Sequence, residues 1–80
     1  MNHKIQIGEV LKKIRKAKRI TQWKLAHDIS INPTSLSKLE RNICEPSLET
    51  IFLIASGLDM KASEFVKEIE ENLELSRKHE

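Results

Sequence analysis

The chain has one cysteine, two glycines, two prolines and no tyrosine in 80 residues. Each scarcity excludes something. A lone thiol at Cys44 cannot close an internal disulfide, and it fits a reducing compartment. With no cationic pocket or resolving partner in view, a redox-sensing role for it is the weaker reading. His3, His27 and His79 lie far apart, so with one cysteine they make no zinc-ligand spacing. Scarce glycine and proline, together with no β-branched alternation, favour helices throughout. No apolar run approaches the roughly 20 residues that span a bilayer. The N-terminus lacks the apolar core of a secretion signal, so a cytoplasmic location is expected. No histidine–cysteine–carboxylate cluster, glycine-rich phosphate loop or nucleophile triad is present. No enzyme, catalytic residue, metal site, cofactor or small-molecule ligand is therefore expected.

What is present is a short, charged chain with its charges sorted by sign. Its length suits one domain over residues 1–80, with a core small enough that self-association would help stability. The net charge is only +2. Residues 1–42 nevertheless carry ten Lys/Arg against three acids, a balance of +7, and residues 43–80 carry −5. A solvated helix surface is the ordinary reading of such a run. It gives way here because the basic half also holds the chain's most ordered pattern.

That pattern is Thr21 to Asn42, TQWKLAHDISINPTSLSKLERN, the stretch around which the rest is organised. Leu25, Ile29, Ile31, Leu36 and Leu39 are its apolar set, and small Ala26 allows close crossing by a second helix. Thr21 is placed to cap one helix by accepting from an orphan backbone N–H. Asn32 is placed to cap the next, with Pro33 at the first helical position, where its missing N–H costs nothing. Asn42 suits the left-handed residue that ends a helix. Two helix starts about eleven residues apart, sharing one apolar set, predict a helix-turn-helix.

With IGEVLKKIR before it and PSLETIFLIASGLDM after it, the stretch resembles the Cro/CI-like (XRE) family of bacterial and phage repressors over about residues 5 to 66. The resemblance implies an all-α, compact five-helix DNA-binding domain of the lambda-repressor type. Two positions depart from the family pattern. Arg19 and Ser30 stand where members often have glycine, and a left-handed backbone there would cost on the order of 1 kcal/mol each.

Taken in order, the first helix is expected over 7–18. Ile7, Val10, Leu11 and Ile14 form its stripe, and Lys12, Lys13, Arg15 and Lys16 give general phosphate attraction on its other face. A basic membrane-surface helix is a rival for this segment, weakened because the stripe has a core to fill. The second helix is expected from Gln22 to Ile29. Gln22 is either a plain helix start or a phosphate contact through its amide and nearby N–H groups, and the resemblance favours the second. Trp23 lies off the buried stripe. It either rests, half exposed, over the first helix or packs on sugar–phosphate. In the third helix, Pro33 to Arg41, Leu36 and Leu39 define the buried side at 100° per residue. Thr34, Ser37, Lys38 and Arg41 then lie opposite, flanked by Pro33 and Ser35. Thr34, Ser35 and Lys38 are the best base readers, because lysine donates to guanine and the threonine methyl packs on thymine. Arg41, beyond the groove-entering turns, is expected at phosphate, and Asn42 completes the candidate DNA-contacting set.

The fourth helix is capped by Ser47 and stops at Gly57, with Leu48, Ile51, Ile54, Ala55 and Leu58 inward. It is apolar almost all round, leaving Phe52 and Leu53 off the stripe. The fifth is expected over about 62–76, with Ala62, Phe65, Val66, Ile69 and Leu73 on one side. Glu64, Glu68, Glu70, Glu71 and Glu74 fill much of the remainder and should keep it away from DNA. Phe52, Leu53, Phe65, Val66, Ile69 and Leu73 together predict a homodimer interface. A loose arm is expected before Ile7 and fraying after Arg77.

The function expected is a sequence-specific transcriptional regulator that binds double-stranded DNA as a homodimer on a two-fold symmetric operator, with no membrane partner. With no separate ligand-sensing domain, its response would come from its own concentration, dimerisation and operator arrangement. Within the family, a chain of this size looks like a phage repressor or a restriction–modification controller protein. The alternative is an antitoxin whose helical surface neutralises a toxin while its helix-turn-helix autoregulates.

Overall fold

Four of the five helices end in the same way. In the computed structural model, which describes residues 5–78, the helices are α1 Gly8–Ala17, α2 Gln22–Asp28, α3 Pro33–Glu40, α4 Leu48–Gly57 and α5 Ala62–Lys78. After each of the first four comes a left-handed residue: Arg19, Ser30, Asn42 and Asp59, with φ between 56° and 59°. Each is closed by the paired bonds of a Schellman motif. Arg19 N donates to Lys16 O and Ile20 N to Arg15 O, and the pattern repeats from Ser30 and Ile31, Asn42 and Ile43, and Asp59 and Met60. None of the four left-handed residues is glycine. Asparagine and aspartate tolerate this backbone, whereas Arg19 and Ser30 carry its steric cost. The two departures from the family pattern are thus real left-handed positions.

The helix starts follow the sequence as read. Thr21 Oγ1 accepts from Lys24 N at 3.0 Å, Asn32 Oδ1 from Thr34 N at 2.8 Å and Ser47 Oγ from Thr50 N at 3.1 Å. At α5, Glu64 reaches back to accept from Lys61 N, half of a capping box. Ile7, at the start of α1, has no side chain to offer. Asn42 supplies the cap from the far end of α3, accepting from Gly8 N at 2.9 Å.

Amphipathic faces then close one core. α1 packs on α3 and α5, α2 on α3 and α4, and α4 on α5. Ile7, Val10, Leu11, Leu25, Ala26, Ile29, Leu36, Leu39, Ile51, Ile54, Ala55, Leu58, Phe65 and Ile69 are buried together. Both glycines mark close approaches rather than turns. A Cβ on Gly8 would collide with the Glu40 backbone, and one on Gly57 would press on the ends of Leu25 and Ile29.

Three expectations need correction. Leu48 is exposed, not inward, because it sits in the first turn of α4 before the helix reaches the core. Phe65 is 0% exposed and Ile69 is also buried, so the domain's own core consumes two of the six residues expected to face a partner. Arg15 is buried rather than part of the basic surface of α1. The arm at 1–4 and the tail at 79–80 lie outside the described residues, as does the Glu74 side chain. No helix among the described residues is long and apolar enough to cross a membrane.

Candidate nucleic-acid interface

The polar face of α3 is what the core leaves over. Leu36 and Leu39 are turned inward, so Pro33, Thr34, Ser35, Lys38 and Arg41 are exposed and Ser37 half-buried. The helix N-terminus is held open by Asn32 and by Pro33, which lacks an N–H. The face therefore presents hydroxyl donors and acceptors, a threonine methyl and an ammonium on one short surface. Those are the groups that read base edges.

Behind it lies a polar network that the sequence reading did not find. Arg15, from α1, donates from Nε to Glu40 Oε2 at 2.5 Å and from Nη2 to Oε1 at 3.1 Å. Its Nη1 donates to Ile20 O at 2.7 Å. Gln22, the first residue of α2, donates from Nε2 to Glu40 Oε1 at 2.9 Å. Arg15 and Glu40 are both 8% exposed, and no buried side-chain polar atom among the described residues lacks a partner. Burial by itself pushes the Glu40 carboxyl up. The hydrogen bonds from Arg15 and Gln22, with the charges of Arg15 and Lys12, outweigh it and hold the group below the usual carboxylate range. A helical angle count could have found this: Glu40 is one turn beyond Leu36, and Arg15 is one turn beyond Leu11, both on inward stripes.

This network changes two candidate assignments. One N–H of the Gln22 amide is committed inside the protein, and its side chain is half-buried. Asn42 is exposed, and although its Oδ1 caps α1, its amide N–H groups remain to donate to an outside partner. Trp23 is 65% exposed. Its indole stacks on His27 of the next turn, with ring centroids 5.2 Å apart and planes 3° from parallel. The pair shares a shallow depression with Ser30, Ile31 and Pro33, which puts the indole beside the start of α3.

The basic surface is smaller than counting suggests. Arg15 is spent on Glu40, and Lys24 pairs with Asp28 at 3.0 Å on the exposed side of α2. Lys12, Lys13, Lys16, Lys18, Arg19, Lys38 and Arg41 remain exposed in the first half. On α4 and α5, Phe52 is 58%, Val66 46% and Leu53 37% exposed, and Leu73 is half-buried. Among the described residues no group of His, Cys, Asp and Glu is placed to hold a metal ion.

The helix-turn-helix family model matches residues 11–65. The immunity repressor protein of Bacillus phage phi105 is 34% identical over 62 residues, 78% of this chain, and the chain spans 43% of that repressor's length. The restriction-modification controller protein C.Esp1396I superposes with a TM-score of 0.78 at 29% identity, covering 86% of this chain and 88% of its own. C.AhdI, the controller protein from Aeromonas hydrophila, superposes at 0.71 with 28% identity over 76% of this chain and 92% of its own. A point mutant of C.Esp1396I bound to its highest affinity operator site superposes at 0.72 with 33% identity, covering 81% of this chain and 91% of that one.

Proposed function

This chain belongs to the helix-turn-helix family of DNA-binding transcriptional regulators and repressors, which are not enzymes, and from that membership we propose how it binds. It reads a two-fold symmetric operator as a homodimer, placing one α3 per half-site in the major groove. The observation that carries this reading is the α3 surface. Its apolar residues are wholly taken up by the core, and its outward residues are groups that read bases. Thr34, Ser35 and Lys38 contact base edges, with Pro33 and Ser37 beside them. Arg41, Gln22 and the Asn42 amide nitrogen meet phosphate. Trp23, beside the start of α3, packs on the sugar–phosphate backbone and can donate from its indole N–H.

Dimerisation supplies the contact area that one short recognition helix lacks. Two copies would set their α3 helices about 34 Å apart, one turn of DNA. Phe52, Leu53, Val66 and Leu73 are the residues of the expected seam that the fold leaves accessible. Phe65 and Ile69 support that surface from beneath. The acidic residues of α5 favour an interface remote from DNA.

Selection of bound sites from random duplex DNA, read by sequencing, tests the reading. A two-fold symmetric enriched site is expected, and enrichment of no sequence contradicts it. Sedimentation at micromolar concentration tests the dimer. Wild type should be dimeric, and Leu53→Glu and Val66→Glu should shift it to monomer. A wild-type monomer, or a dimer untouched by both changes, would place the interface elsewhere.

A further inference from the structure

The Glu40 carboxylate does more than neutralise a buried arginine. Its Oε1 takes an N–H from Gln22 at 2.9 Å, while its two oxygens together take Nε and Nη2 of Arg15. The same Arg15 holds Ile20 O, two residues before Gln22. One acid at the end of α3 thus fixes both the chain entering α2 and the first side chain of that helix. A glutamine has three side-chain torsions, and ordering them on binding opposes affinity. Here the amide is already held by one N–H, and the half-exposed side chain keeps a second N–H and its carbonyl oxygen for a partner.

We propose that Glu40 is a positioning residue for DNA binding: it holds the Gln22 amide by one N–H so that the other is presented to a backbone phosphate of the duplex. This rests on the DNA-binding reading above. Glu40 itself touches no DNA, since it is buried and carries the wrong charge. Its effect on affinity passes through Gln22, so the two residues must be energetically coupled.

The test is a double-mutant cycle on the selected operator, with Gln22→Ala, Glu40→Gln and the double variant. Affinity is measured at a temperature where circular dichroism shows each variant folded. Gln22→Ala should weaken binding about tenfold, the scale of one lost hydrogen bond to a charged group. In the Glu40→Gln background the same change should cost less than about twofold. Should Glu40→Gln fail to fold, Glu40→Asp replaces it in the cycle, keeping the charge opposite Arg15 while drawing the carboxylate back. Losses that multiply would confine Glu40 to a folding role and overturn the proposal. A Gln22→Ala variant that binds like wild type would overturn it as well. Wild type that binds no duplex at all would instead overturn the DNA-binding reading, and the positioning role with it.

Discussion

Replacing Gly8 by alanine exchanges a poor helix former for the best one, and helix propensity alone promises a gain of up to about 1 kcal/mol. The packing of α1 on α3 reverses that expectation. A Cβ at position 8 would fall inside contact distance of the Glu40 carbonyl oxygen, and 2.7 Å from both the Glu40 carbonyl carbon and Asn42 Oδ1. Two of those atoms are backbone at the end of a helix, so neither can swing aside as a side-chain tip would. Forcing a methyl into such a contact costs about 1–3 kcal/mol. Separating the helices also breaks the Asn42 cap on Gly8 N, worth about 1 kcal/mol. The net expectation, with the propensity gain subtracted, is a loss of about 1–3 kcal/mol. A domain of this size melts about 4–8 °C lower per kcal/mol, so the midpoint should fall by roughly 4–24 °C. Thermal melting followed by circular dichroism at the helix band reads this directly. Gly57→Ala is the comparison, because the atoms a Cβ meets there are side-chain methyls of Leu25 and Ile29 rather than backbone, and its loss should be smaller. A Gly8→Ala protein as stable as wild type, or more so, would refute the packing argument.

Other outcomes follow from the same structure. Arg19→Gly and Ser30→Gly should each raise stability by up to about 1 kcal/mol in urea unfolding, because left-handed backbone is free to glycine and costly to other residues. The gain is reduced by the looser unfolded chain that glycine brings. The carboxyl of Glu40 is held below its usual range, so the stability it adds is fully present above the ordinary carboxylate value of the unfolded chain. That contribution should fade as pH falls through the lower folded value, and Glu40→Gln should flatten this part of a stability–pH profile. DNA affinity should fall steeply with salt, with a log–log slope of about −5 for six phosphate contacts. Affinity that stays flat between low and physiological salt would remove the electrostatic account.

The sequence announced the frame of this fold through side chains whose job is local. Thr21, Asn32 and Ser47 each cap within a few residues, and Asn42 ends α3 through its own left-handed backbone, so these roles could be read from spacing alone. The inward stripes of α1 to α3 were legible for the same reason. What escaped was whatever depends on a distant partner. Asn42 caps α1 from 34 residues away, and Arg15 meets Glu40 across 25. A count of charges cannot separate a buried arginine from an exposed lysine, so it puts Arg15 on the surface. The apolar side of α5 was legible as a stripe. How deep it lies was not, because Phe65 and Val66 differ only in which of two neighbouring angles faces α4 and α1. Trp23 admits two readings in sequence because nothing there singles out His27, its partner one turn along the same helix.

The central claim is that the exposed face of α3 reads sequence, and Lys38, placed among its base-reading residues, is able to donate to guanine O6 and N7. The direct measurement is the affinity of wild type and Lys38→Ala for the selected operator and for every single-base variant of it. The account predicts that Lys38→Ala loses its preference at one base position in each half-site, by about 1–3 kcal/mol, with preferences elsewhere kept. A profile that falls by the same factor at every sequence would make Lys38 a phosphate contact and contradict the claim.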